Sequence, residues 1–260
     1  AEQLQQRQSS RALVVSGLQT LVGLENPDEQ VIGGWVNSLA QASQSPSDLS
    51  ESSALAVLSL VETITTAAAG TSAVSSGTIA GLLNAVNSVA VASKTSAMRR
   101  RLSDRRHRRL STENADGAAT VTATRDVLNS VGALLAQSML PDQAAAQFTQ
   151  GELRMSVQVL GGSGEQGLSV GIPQTGLEQA LGVSASEVKV PASEQKVSVV
   201  ATSVRAEHFQ YLGQDLLSNP LQLFASAQLC AAPPCYVDVV LQNSATTDFA
   251  HLNQNADVVE

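Results

Sequence analysis

Aromatic side chains are nearly missing from this chain of 260 residues: Phe, Tyr and Trp make up 3% of it, with a single Trp. A core must therefore be built from Val, Leu, Ile and Ala. Charge is scarce as well. Asp, Glu, Lys and Arg amount to 15% of the residues, against roughly a quarter in ordinary soluble domains. Ser, Thr, Gln and Asn supply the polarity instead. No stretch of about eighteen apolar residues runs without polar interruption, so no transmembrane helix is expected. No Asn-x-Ser/Thr sequon occurs, which neither supports nor excludes secretion. The chain opens on Ala1 without an initiating Met or a signal peptide and closes on Glu260 without an evident terminal signal. It reads as a segment of a longer chain whose targeting signals lie elsewhere.

What is present is an apolar fraction of 43%, close to the globular average, and enough length for one large or two small domains. The formal charge is −8. Its distribution is uneven. "MRRRLSDRRHRRLST", Met98 to Thr112, holds seven arginines between Arg99 and Arg109, nearly half of the 15 basic residues in the chain. Without those seven and Asp104, eight basic and 22 acidic residues remain, a net of −14. An acidic body with one local basic run is a poor nucleic-acid binder, because phosphate contacts need a basic face.

The first 140 residues or so carry helical spacing. Val14, Leu18, Leu21 and Val22 fall on one face. In "ENPDEQVIGGW", Asn26 can N-cap a helix, with Pro27 at its first position and Glu29 completing a capping box. That helix presents Val31, Trp35 and Leu39. Ser45-Pro46-Ser47-Asp48 restarts a helix in the same manner, followed by Leu55, Leu58, Val61 and Ile64. Ile79, Leu82, Leu83, Val86 and Val89 make a fourth stripe. Val127, Val131, Leu134, Leu135 and Met139 make a fifth. Narrow stripes on Ala- and Ser-rich helices suit close antiparallel packing.

After Pro141 the period changes to two. Leu153, Met155, Val157 and Val159 alternate with polar residues, as in a half-buried strand. "GGSGEQG", Gly161 to Gly167, leads to Leu168, Val170 and Ile172, which alternate again and predict a hairpin. Further strands are expected at 188–190, 197–204 and 236–241. The fold class is α+β: an N-terminal helical bundle subdomain, residues 1–145, followed by an antiparallel β-sandwich-like subdomain, residues 146–260. Residues 98–120 are expected to form a flexible basic loop inside the first.

Catalytic chemistry does not emerge from these residues, and no cofactor or metal is expected. His107 sits among arginines that would repel a cation. His208 and His251 have no Cys, Asp or Glu at a recognisable ligand spacing. "GGSGEQG" is neither a nucleophile elbow nor a phosphate cradle, because no helix follows it. A triad that converges only in the fold stays open. Cys230 and Cys235 frame "CAAPPC". A disulfide closing this small loop would add about 2 kcal/mol and point to an extracellular setting. The alternatives are two free thiols in a reducing compartment and, with further ligands, zinc.

The arginine run has four readings. It is a solvated loop, or a protease-accessible one. Arg106-His107-Arg108-Arg109 resembles the Arg-x-Arg-Arg pattern cut by proprotein convertases. Ser103 and Ser111, each behind Arg-Arg-Leu, match the Arg-Arg-x-Ser pattern of basophilic kinases. The fourth reading is a contact to an acidic partner, glycan or lipid surface.

The order of parts resembles a family. "ALAVLSLVETITTAAAG" (Ala54 to Gly70), "TIAGLLNAVNSVAVAS" (Thr78 to Ser93) and "VLNSVGALLAQSMLP" (Val127 to Pro141) precede "GELRMSVQVL" (Gly151 to Leu160). With "LSNPLQLF" (Leu217 to Phe224) they resemble the GAIN-like region of polycystin-like and receptor-for-egg-jelly (REJ) proteins over residues 10–240. The resemblance implies a non-enzymatic extracellular module of a large membrane or cell-surface protein, often ciliary, with a structural, adhesion or mechanosensory role. Its partners would be other extracellular or membrane chains, a polycystin channel subunit among them, and no nucleic acid. Membrane contact would come only through segments outside this chain. Many members end the region with an autoproteolysis motif. "FAHLNQ" (Phe249 to Gln254) has His251-Leu252, but Asn253 stands where a Ser or Thr nucleophile belongs, so cleavage is not carried over. The alternative is an intracellular scaffold whose arginine-rich loop is regulated by phosphorylation at Ser103 or Ser111.

Overall fold

In the first helix the expected stripe is rotated. The computed structural model describes residues 2–71, 74–104, 114–161, 168–182, 185–190, 196–205, 221–226 and 238–240. Helix α1 (Glu2–Leu24) buries Val15, Leu18 and Val22, while Val14 and Leu21 face outward. Two arginines set this rotation. Arg7 Nε lies 3.1 Å from Asp48 Oδ1. Arg11 Nη1 donates to the Gln41 carbonyl at 3.2 Å, in the last turn of the next helix.

That next helix, α2 (Glu29–Ser43), starts two residues later than its sequence suggests. Asp28, not Asn26, is the N-cap, and its Oδ1 accepts from the Val31 amide at 2.7 Å. A carboxylate there also meets the positive end of the helix. Trp35 is buried on α2, and its Nε1 donates to Glu25 Oε2 at 2.6 Å just beyond α1. The restart expected at Ser45 is only a 3₁₀ turn, η1 (Pro46–Asp48), and Ser45 makes no capping bond. Helix α3 (Glu51–Ala69) begins instead behind Ser50, whose Oγ accepts from the Ser53 amide at 3.1 Å. By length and composition α3 is apolar enough to cross a membrane, yet 50% of that window is buried inside the protein. Val57, Leu58, Leu60, Val61 and Ile64 form its buried face.

Helix α4 (Ser76–Asp104) places Ile79, Leu82, Leu83, Val86 and Val89 in the core, all fully buried, as their spacing requires. Helix α5 (Asn114–Ser138) buries Val127, Leu128, Val131 and Leu134. The described ends of the expected loop 98–120 are therefore helical. Met98–Asp104 continue α4, and 114–120 already belong to α5. Arginine is a good helix former, and cations near a helix C-terminus interact favourably with the macrodipole, so the start of the run extends the helix.

A chain this rich in Ser and Thr must bury hydroxyls. In the helices three of them bond back to the preceding turn: Ser43 Oγ to Leu39 O (2.9 Å), Thr65 Oγ1 to Val61 O (2.7 Å) and Thr124 Oγ1 to Thr120 O (2.7 Å). Each donor is satisfied without a charged partner.

The chain divides into two compact units, one of Ala1–Leu134 with Val204–Pro220, the other of Leu135–Ser203 with Leu221–Glu260. The second is built on strands. They are β1 (Ala146–Gln150), β2 (Leu153–Leu160), β3 (Leu168–Gly171), β4 (Glu187–Val190), β5 (Val197–Val204), β6 (Leu221–Ala225) and β7 (Asp238–Val240), with a short helix α6 (Gly176–Ala180) after β3. One sheet has the order β1-β2-β5-β6, the other β3-β4-β7.

The expected β2–β3 hairpin is not formed, since the two strands lie in different sheets. The hairpin is β1–β2, antiparallel, with Gln150 opposite Leu153 and Gly151-Glu152 as its loop. Gly151 has φ 50°, the positive value that a II′ turn needs at its first loop residue. Val170, Ile172 and Val188 of one sheet share a buried cluster with Val197, Val199 and Ala201 of the other, and Leu160, Leu221 and Leu223 pack against it. This two-sheet core makes the unit sandwich-like. Leu160 belongs to that core, so Leu153, Met155, Val157 and Val159, alternating with it along β2, line the opposite face, and they too are buried. Strand β2 is thus covered on both sides, where alternation alone predicts one.

The turn into β1 stores strain. Asp142 has φ 60°, in the left-handed region, and follows Pro141 in a turn closed by Gln143 N to Leu140 O at 3.3 Å. Its amide donates to Val159 O at 2.8 Å, and its Oδ1 accepts from Gly161 N at 3.0 Å. Asp142→Ala is expected to lower stability by about 1–2 kcal/mol, since it keeps the strain and loses the carboxylate bond. Asp142→Asn keeps both the bond and left-handed tolerance, and should change thermal unfolding little. Equal losses for the two variants would remove this explanation.

Candidate functional site

The residues that the sequence singles out are not brought together into a site among the described residues. Ser103 lies in the last turn of α4, which ends at Asp104. Arg106, His107, Arg108, Arg109 and Ser111 lie outside the described residues, as do His208, His251, Cys230 and Cys235. The Gly162–Gly167 part of "GGSGEQG" and all of "FAHLNQ" lie outside them too.

Two polar clusters are described. The first is a shallow depression on the helical unit lined by Asp28, Glu29, Gln30, Gly33, Ser75 and Thr78. Two of its acceptors, Asp28 and Ser75, are committed to helix starts. Asp28 caps α2, and Ser75 Oγ accepts from the Thr78 amide at 3.1 Å while sharing a 3.0 Å bond with the Thr78 hydroxyl. Such a cluster fixes the entry of two helices. Among the described residues no group of three His, Cys, Asp or Glu side chains is placed to hold a metal ion.

The second cluster ties α6 to β2. Arg154 Nη1 donates to both carboxylate oxygens of Glu178, at 3.0 and 2.8 Å. Glu178 Oε2 also accepts from the Thr175 amide (2.7 Å) and hydroxyl (3.0 Å). The Glu178 amide in turn donates to Thr175 Oγ1 at 3.2 Å. This is a capping box, and the Thr175-x-x-Glu178 spacing is its signal in the sequence. Burial pushes the Glu178 carboxyl up, but the bond from the Thr175 amide, the Arg154 charge and the remaining bonds from Thr175 and Arg154 outweigh it, leaving its pKa lowered.

A depressed carboxylate stabilises the fold above its unfolded pKa, and that contribution fades as pH falls through the lowered folded value. Glu178→Gln should therefore cost up to about 1 kcal/mol at neutral pH. The gap to the parent protein should close only in acid, below the ordinary carboxylate range. Urea titrations at several pH values check it, and a gap that widens in acid would reverse the assignment. The arrangement orients a helix on a strand. It holds no nucleophile and no open acceptor.

No known family matches the chain, and no curated protein matches it either. Among solved structures it is similar to the full extracellular region of zebrafish Gpr126/Adgrg6, with a TM-score of 0.46 and 12% identity over 78% of this chain. The match covers 26% of that protein, so the chain spans about a quarter of its length. The overlap is too loose to carry anything from that receptor to this chain.

Proposed function

We propose that this chain is a non-enzymatic extracellular module of a large polycystin-like membrane or cell-surface protein, ciliary in setting, with a structural, adhesion or mechanosensory role. One observation carries the reading: a bundle of Ala- and Ser-rich helices is followed directly by a two-sheet unit. That is the order of parts in the GAIN-like regions that Ala54 to Gly70, Thr78 to Ser93 and Gly151 to Leu160 resemble. The use of polar side chains agrees with it. The bonds of Asp28, Ser75, Thr175 and Glu178 go to helix starts and to the tie between α6 and β2. An acidic body also suits contacts with other protein chains better than with nucleic acid. The partners are extracellular or membrane chains, a polycystin channel subunit among them.

An antibody raised against the helical unit tests this on intact cells that make the parent protein. Staining without permeabilisation is the expected result. Staining only after permeabilisation, with phosphate on Ser103 or Ser111, would favour the intracellular scaffold instead.

A further inference from the structure

Helix α1 carries a second apolar face. Leu13, Val14, Leu21 and Leu24 expose 74%, 53%, 42% and 79% of their surface, Leu13 and Leu24 opposite the buried Val15, Leu18 and Val22, Val14 and Leu21 on the shoulder beside them. With Ser10 and Gly17 they form a seam at positions 10, 14, 17, 21 and 24, the alternation of four and three that lets two helices mesh. From Ala12 to Leu24 the helix has no charged residue on any side. A surface helix of an ordinary single chain carries charge on its outer face.

Gly17 adds an independent observation. A Cβ at this position would meet nothing within 4 Å, so no contact inside the chain requires glycine there. Glycine in mid-helix is destabilising relative to alanine. Close approach of another backbone across the seam would explain it.

We propose that α1 pairs with α1 of a second copy of this chain, antiparallel, about a twofold axis at Gly17. The seam is self-complementary in that sense. Turning it about Gly17 exchanges Ser10 with Leu24 and Leu21 with the exposed Leu13, as an isologous contact requires. Charge selects the direction. Arg7, with a side chain 59% exposed beside its bond to Asp48, precedes the seam, and the exposed Asp28, the N-cap of α2, and Glu29 follow it. Antiparallel pairing sets Arg7 of one copy beside Asp28 and Glu29 of the other, whereas parallel pairing sets like against like. The seam is only about 22 Å long at ~1.5 Å per residue. That is short for the roughly 1,600 Å² of a stable interface, so the dimer is weak, with a Kd on the order of 0.1 mM. The pairing does not rest on an extracellular setting.

Sedimentation of the whole chain from micromolar to near-millimolar concentration tests it. A reversible monomer–dimer equilibrium is expected. Leu21→Glu should weaken it at least about tenfold, the effect of losing roughly 1.4 kcal/mol of association energy. Leu181→Glu, at a residue 68% exposed on the strand unit, should leave it unchanged. Gly17→Ala should raise the melting temperature of the dilute protein and still weaken the dimer. Far-UV circular dichroism and Trp35 fluorescence confirm that each variant is folded. Should Leu21→Glu not fold, oxidative cross-linking read by peptide mapping decides. Gly17→Cys should link to itself, and Leu24→Cys should link to Ser10→Cys but not to itself. A monomer at every concentration, a dimer indifferent to Leu21→Glu, or Leu24→Cys linking to itself overturns the proposal.

Discussion

Replacing Gly81 with valine should destabilise the helical bundle by about 3 kcal/mol or more, the upper range for overpacking a filled core. Gly81 lies on α4 where it meets α2, and a Cβ built there collides with Cγ1 of Val36. Val36 is buried and β-branched, so it has little rotamer freedom with which to move aside. Even Gly81→Ala should lower stability, although alanine gains about 1 kcal/mol in helix propensity. Thermal unfolding followed by the fluorescence of Trp35, the chain's single Trp, reads the effect. A double-mutant cycle with Val36→Ala sharpens it. Gly81→Ala with Val36→Ala should cost clearly less than the two single changes added together. Simple additivity would mean that the two helices do not approach at this point.

Val170→Asp should be the most damaging single change in the strand unit, at about 4 kcal/mol or more. Val170 is fully buried between the sheets with Ile172, Val188, Val197, Val199 and Ala201, and that cluster holds no group able to pair with a carboxylate. Val170→Ala leaves only a small cavity and should cost about half as much. Hydrogen exchange of the β3, β4 and β5 amides, followed in urea, measures both. Protection unchanged in Val170→Asp would mean that the two sheets do not face one another across this residue.

The buried faces of α4 and α5 were legible because apolar spacing reports directly which side of a helix meets its neighbours. Ile79, Leu82, Leu83, Val86 and Val89 are the clearest case. In α2 and α3 the expected Val31 and Leu55 are only half-buried, and Ile32, Val36, Val57 and Leu60 fill the face beside Trp35, Leu39, Leu58, Val61 and Ile64. Helix α1 was misread by one position, because Val14 and Leu21 sit on the shoulder of its stripe. The anchors that turn it, Arg7 on Asp48 and Arg11 on Gln41, act across thirty or more residues of sequence. The α2 cap shifted because Asn26 and Asp28 both suit the role, and only the bond to Val31 distinguishes them.

Strand pairing was the least legible. The Gly-rich stretch after β2 signals a turn, but a turn does not say which strand comes back beside β2. In the fold that neighbour is β5, almost forty residues on, and β3 goes to the other sheet. Strand β1, "AQFTQ", is an edge with weak alternation and escaped notice. The tie from Arg154 to Glu178 joins residues 24 apart, and only its Thr175 cap leaves a local trace. The arginine run divides between what helix propensity settles and what it does not. Residues as far as Asp104 continue α4, and no local rule says what the charges beyond it meet.

The extracellular assignment is tested most directly at Cys230 and Cys235. Peptide mapping of the non-reduced protein, recovered from the cells that make the parent chain, should find the two joined to each other. Reduction should then lower stability by about 2 kcal/mol, the chain-entropy value for so small a loop. Two free thiols in freshly isolated, alkylated protein would contradict the account and return the chain to a reducing compartment.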